Sequence, residues 1–284
     1  MKPVKRERIA GMGMHYKFRP LDYFLESQQE LGVQSIEFWC ARPHFLLDDY
    51  GFEDVKKLRE KLDFYGMKLA AFSPECTVYN YNLCAQDETA ARHSMGYFEK
   101  AIEAAEQAEA KLMVVNCCGG LRDEEKERIF ERAVDRLTCL GKTASEHGIL
   151  LAVETFCPGD SPVFNTLTEL KSLLDAVNSK NVQACLDLTA AGMAGETMKD
   201  WFELLGDKVR HIRFTDGRPG GRLAWGDGLR PLEDQFGWIE QYGYTGYLSL
   251  SVNDPRYLDN PREADEKNWK ALNRWRILYE AGFI

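Results

Sequence analysis

Four short stretches place ionisable residues where chemistry would need them. "LAVETF" carries Glu154, "ACLDL" carries Asp187, "HIRFTD" carries His211 and Arg213, and "YLSLSVN" carries Ser249, Ser251 and Asn253. Each stretch is otherwise apolar and short, as a buried strand is. Alternate side chains of a strand share a face, so Glu154 falls with Leu150 and Ala152, Asp187 with Cys185, and Arg213 with His211 and Thr215. The opposite faces hold Ile212, Phe214, Leu248, Leu250 and Val252, which suit packing beneath helices. The polar set is therefore expected to share one interior, where two carboxylates, an imidazole and a guanidinium meet. Removing such charges from water is costly unless they pair, or hold a metal or ligand. Two readings stand: an ion-pair network around Arg213, and a ligand site.

The elements that must position these residues are regular. β-type runs lie at 9–16, 35–40, 68–74, 111–117, 149–156, 182–188, 211–216 and 246–252, with amphipathic helical patterns following them. Gly32, Gly66, Gly148, Gly206, Gly243 and Gly282 stand where helices should stop, and Thr166 with Glu169 makes a capping box. Strand then helix, repeated eight times, predicts an α/β fold, a single (β/α)8 TIM barrel over residues 1–284 as one domain. A doubly wound open sheet is the alternative, but no G-x-G-x-x-G follows the first run. In the barrel, chemistry gathers at the C-terminal ends of the strands.

Composition narrows the function classes. Of the 284 residues 44% are hydrophobic, enough for a substantial core, and a net charge of -9 repels nucleic acid and anionic membranes. No apolar run has the length of a signal peptide or a membrane span. Eight cysteines, at 40, 76, 84, 117, 118, 139, 157 and 185, include no C-x-x-C pair, which points to a reducing, cytoplasmic setting without structural disulfides.

"LAVETF", "ACLDLTAAG", "HIRFTDG", "WGDG" and "GYTGYLSLSVNDPRY", in that order, resemble the xylose isomerase-like TIM barrels, the sugar (phosphate) isomerase-epimerase superfamily that also includes the endonuclease IV enzymes. "IEFWCARPHFLLDD" with "FSPECTVYNYNL" is similar to the fructoselysine (psicoselysine) 3-epimerase-like branch, and the resemblance covers essentially the whole chain. It implies a divalent metal (Mn, Mg, Co or Zn) held by Glu, Asp, His and Glu at the ends of strands five to eight. It also implies proton removal next to a carbonyl through an enediolate, with the two Glu residues as bases on opposite faces.

Carried over by position, Glu154 and Asp187 match, whereas the His falls on Arg213 and the second Glu on Ser251. Arginine has no lone pair to give a metal, and a serine hydroxyl is a poor ligand. The expectation is therefore Glu154 as the catalytic group, a half-retained metal site on Glu154 and Asp187, and Arg213 as a fixed charge bridging those two carboxylates. His211 lies two residues, roughly 6–7 Å, below the family's ligand position.

Arg213, His44, Glu75, Asn116, Ser251 and His211 are the substrate-binding candidates, with Glu37 behind them. Trp39, Phe72, Tyr79 and Trp225 offer aromatic surface for sugar faces or for the core. Adjacent Cys117 and Cys118 would point opposite ways on a strand and so make no joint metal pair. His15 is placed at the mouth, and His93 and His147 on helices.

The expected function is a sugar isomerase/epimerase-like enzyme acting on a ketose or sugar conjugate. The alternative is a metal-free barrel that binds a sugar or polyol, or an inactive partner subunit. The expected partners are a small-molecule carbohydrate and a homo-oligomeric copy, with no nucleic acid and no membrane. An abasic-site nuclease suits neither the charge of -9 nor the five histidines.

Overall fold

The computed structural model describes residues 4–76, 81–116 and 119–283. Eight parallel strands close into a barrel in chain order: β1 (Ile9–Met12), β2 (Ser35–Cys40), β3 (Lys68–Pro74), β4 (Leu112–Asn116), β5 (Leu150–Glu154), β6 (Val182–Asp187), β7 (Val209–Arg213) and β8 (Leu248–Leu250). Closure comes from β1 pairing with β8, Ile9 beside Leu248 and Ala10 beside Ser249. All eight runs expected from the sequence form strands, most of them shorter than the runs. β7 instead starts two residues early, at Val209.

The outer layer is α1 (Leu21–Glu30), α2 (Val55–Phe64), α3 (Glu88–Gln107), α4 (Lys126–Glu146), α5 (Leu167–Val177), α6 (Leu188–Met193), α7 (Met198–Leu205), α8 (Leu232–Gln241) and α9 (Pro261–Glu280). The capping box at α5 forms: Thr166 Oγ accepts from the Glu169 amide, and the Glu169 carboxylate accepts from the Thr166 amide. The six stop glycines all adopt positive φ, where a side chain would be strained. α6 has no counterpart in the sequence reading. It follows β6 without a linker and is too short to show a helical period, and its first turn is capped by Asp187, whose Oδ1 accepts from Thr189 N at 2.8 Å.

Inward and outward faces of the strands alternate as expected from the sequence. Ala71, Val114, Ala152 and Cys185, with Leu112 and Leu150, form a small-residue layer of their own. Ile212, Phe214, Leu248 and Leu250 instead join the large core shared with the helices. The same parity that puts Ala152 and Cys185 in the inner layer puts Glu154 and Asp187 above it. Among the described residues no helix is long and apolar enough to cross a membrane.

One connection is unusually well fastened. Residues 214–231 run from β7 to α8 as a strap folded back on itself, with Asp216 and Leu223 exchanging backbone hydrogen bonds. The buried Asp216 carboxylate accepts from four amides, those of Gly217, Gly226, Gly228 and Arg230, at 2.8–3.0 Å. A Cβ on Gly228 would lie 2.1 Å from Asp216 Oδ1, so only glycine allows the carboxylate this close. The strap is also held from outside: Asn253 N donates to Arg222 O at 3.0 Å and Trp225 N to Asn268 Oδ1 at 2.8 Å. Asp216→Ala, which strands these amides, should cost about 2–4 kcal/mol in urea unfolding and open the strap to proteolysis. A loss under about 1 kcal/mol with protease resistance intact would show that the outer bonds suffice alone.

Candidate active site

The polar residues converge at the strand ends. In register, Asn116 lies beside Glu154, Asp187 beside Arg213, and Arg213 beside Ser249. Glu37, Ser73, Asn116, Glu154, Asp187, His211, Arg213, Ser249 and Ser251 are all buried.

Arg213 ties this group together. Its Nε and Nη2 donate to Glu37 Oε1 at 2.9 and 2.8 Å, and its Nη1 donates to Glu154 Oε2 at 2.6 Å. Ser73 Oγ donates to the same Glu37 oxygen at 2.6 Å. His211 Nε2 lies 2.8 Å from Glu37 Oε2 and 2.9 Å from Ser249 Oγ. The imidazole is thus enclosed below the guanidinium as part of its support, two residues down the strand. This explains why one face of β7 carries both groups.

The expected bridge from Glu154 to Asp187 does not form. Arg213 instead spans Glu154 and Glu37, because its long side chain runs inward across the barrel rather than sideways to its neighbour in register. Asp187 takes a different cation. Arg222, delivered by the strap, closes its Nη2 on Asp187 Oδ2 as an ion pair. Arg222 Nη1 is buried and has no hydrogen-bond partner among the described residues, and the same is true of Ser251 Oγ. Arg222 is not among the residues expected from the sequence. The available signal was charge balance: without His and Glu ligands, a buried Asp187 requires a cation, and "GGRLAWGDG" supplies one just past β7.

Electrostatics separates the carboxylates. Burial would raise the Glu37 carboxyl, but Arg213, His211 and Ser73 outweigh it and hold Glu37 far below the usual carboxylate range. For Glu154 burial wins: its pKa is raised, with Arg213 opposing and Asp187 reinforcing the shift. Burial weakens each guanidinium, but Glu154 and Glu37 more than compensate at Arg213, as Asp187 does at Arg222.

The remaining candidates are spread more widely. Glu75 Oε2 accepts from Trp39 Nε1 at 3.0 Å, joining the ends of β2 and β3. His44 is buried with Nε2 3.2 Å from the Arg19 carbonyl and its ring stacked on Phe24, and burial lowers its pKa. It lines a cavity of about 920 Å³ between the β1–α1 and β2–α2 connections, whose wall includes none of the strand-end group. His15 does not line the mouth. It is buried with Nε2 3.3 Å from Asp265 Oδ1, because Asp265 of α9 also gathers Tyr16 and Gln28 on that side of the barrel.

His93 and His147 lie on the outside against Asp49 and Glu106. Phe72 belongs to the core with Phe38, and Trp225 packs on Phe214. Tyr79, Cys117 and Cys118 lie outside the described residues.

The metal implied by the resemblance does not suit this donor set. The two matching carboxylates are each engaged by an arginine, and the other two positions hold Arg213 and Ser251. Among the described residues no group of three or more His, Cys, Asp or Glu side chains is disposed to hold a metal ion.

Glu37→Gln removes the main partner of a buried guanidinium and should cost about 3–5 kcal/mol in denaturant unfolding. Because the Glu37 pKa is depressed in the folded state, its contribution is present above the unfolded-state value of about 4.3 and is lost as pH falls below it. Wild type should therefore lose stability on acidification more steeply than Glu37→Gln does. Parallel pH curves would remove Glu37 from the anchoring role.

The family model described as "Xylose isomerase-like TIM barrel" matches residues 25–276. The fructoselysine 3-epimerase of Shigella flexneri is 27% identical over 261 residues, covering 91% of this chain and 93% of the relative. A D-allulose 3-epimerase from Methylomonas sp. superposes with a TM-score of 0.77 at 18% identity, covering 97% of this chain and 99% of that one. The IOLI protein, whose crystal structure has a bound zinc atom, gives a TM-score of 0.74 at 21% identity over 93% of this chain and 96% of its own. With the closed barrel and this coverage, the chain belongs to the xylose isomerase-like TIM barrel family.

Proposed function

We propose that this protein is an isomerase or epimerase acting on a ketose or sugar conjugate by proton transfer at the carbon next to the carbonyl. The observation that carries the reading is Glu154. Its carboxyl sits buried at the end of β5 with Oε2 fixed by Arg213. Its pKa is shifted toward neutrality by burial, which suits a group that must both take and return a proton.

In this reading Glu154 Oε1 removes the proton, the C–H electron pair forms the C=C bond, and the carbonyl oxygen becomes an enolate oxygen. Glu154 then returns the proton to the adjacent carbon of the enediol while the hydroxyl proton passes to the other oxygen through solvent, which gives the isomer. Return to the same carbon gives only solvent exchange, and protonation from the opposite face by solvent gives the epimer. Arg213 orients the base and Glu37 anchors Arg213. Asn116, beside Glu154 in register, and Ser251 contribute hydrogen-bonding groups for sugar hydroxyls. The names of the relatives favour an unphosphorylated ketose or its lysine conjugate. No step is assigned to a metal, and small-molecule carbohydrate is the expected partner.

A second reading draws on Ser251, which leaves no carboxylate at the position of the family's second base. It is a barrel that binds the sugar without turnover. Incubation with D-allulose, D-fructose and fructoselysine in heavy water, followed by NMR, separates the two. The enzyme reading expects deuterium at the carbon beside the carbonyl, lost by about 10²–10⁴-fold in Glu154→Gln. The exchange rate should rise with pH as Glu154 deprotonates, with a midpoint above the usual carboxylate range. Saturable sugar binding without exchange would establish the binding barrel instead.

A further inference from the structure

The geometry points to Arg222 as the group that receives the ligand's carbonyl oxygen, a built-in cation standing where the family places its metal. This rests on the ketose reading above but assigns a residue and a role that the reading leaves open.

Three observations meet at this side chain. First, the charge is in the right place. Arg222 is paired with Asp187, one of the two positions that match the family's ligands, and its charge is coupled to Asp187, Arg213 and Glu154 alike. Second, one donor is left over. Nη2 is on Asp187, but Nη1 is buried without a partner among the described residues, an expensive arrangement unless a ligand oxygen completes it. Third, the side chain is prepositioned. It leaves a strap that is clamped by four amides on Asp216, by Asn253 N on the Arg222 carbonyl and by Asn268 on Trp225, so little reorganisation is needed when an oxygen arrives.

The consequence for the reaction is specific. When Glu154 removes the proton, negative charge develops on the carbonyl oxygen, and Arg222 Nη1–H, an atom shielded from solvent, donates to it, which strengthens the interaction. Arg222 keeps its proton throughout, so the proton taken from carbon is carried by Glu154 and not by the guanidinium. Arg213 is less suited to this role, because its Nε, Nη1 and Nη2 each already donate to Glu37 or Glu154.

The test measures ketose exchange in heavy water, with D-allulose and fructoselysine as probes, for wild type, Arg222→Ala and Arg222→Lys. Arg222→Ala should lower kcat about 100-fold or more while KM changes by less than about threefold, the signature of an interaction made mainly in the transition state. Millimolar guanidinium should restore part of that rate, which a purely structural role would not allow. Arg222→Lys keeps the charge but not the forked geometry, so it should fold and still lose about tenfold or more. Dialysis against EDTA should leave wild-type exchange unchanged.

Unaltered kcat in either variant, a loss in Arg222→Ala that guanidinium does not mend, or EDTA inactivation reversed by Mn²⁺ would each overturn the assignment. If wild type exchanges neither ketose, the enzyme reading fails. The cation position is then judged by calorimetric titration with guanidinium. Binding to Arg222→Ala and not to wild type supports it, and no binding to Arg222→Ala refutes it.

Discussion

The site is organised around one shared guanidinium. Arg213 donates to Glu37 through Nε and Nη2 and to Glu154 through Nη1, all from a buried position. Each carboxylate would be an uncompensated buried charge without it, and so would the guanidinium without them. The two contacts are unequal by design of the surroundings. Glu37 has Ser73 and His211 as additional donors and stays fully ionised, so it acts as an anchor. Glu154 is held by Arg213 through Oε2, and there burial outweighs the guanidinium and raises its pKa.

The second cation follows from the same charge balance. Three buried carboxylates, Glu37, Glu154 and Asp187, face two guanidiniums, Arg213 and Arg222. Arg222 does not come from a barrel strand, so its place depends on the strap after β7. That dependence accounts for the density of bonds on Asp216 and for a glycine at 228, where any side chain would collide with the carboxylate. A flexible loop carrying a charged side chain could not offset the cost of burying Asp187. A clamped one can.

These two arginines also change what the barrel can do with an oxygen atom. A metal ion accepts several ligand oxygens at once and can be exchanged, whereas a guanidinium offers fixed N–H directions and cannot leave. Among the described residues, Arg222 Nη1 and Ser251 Oγ are buried at this end without a hydrogen-bond partner, above the small-residue layer. The cavity lined by His44 lies apart from this group and takes no part in its hydrogen bonding.

The sequence by itself determined the architecture and one half of the site. Alternation of polar and apolar residues in β5 to β8 decided which side chains face inward, because side-chain direction in a strand has a strict period of two. Glycine stops and the Thr166–Glu169 cap marked the helix ends, because those conformations are local. Local rules also carried Glu154, Asp187 and Arg213 to one end of the barrel. Which carboxylate pairs with which arginine was decided only by the tertiary structure. Arg213 reaches Glu37 across 176 positions of sequence, and Arg222 reaches Asp187 from a strap whose path is set by Asp216. The partner of a long, charged side chain depends on distances across the barrel interior, and strand period and residue spacing hold no record of those distances.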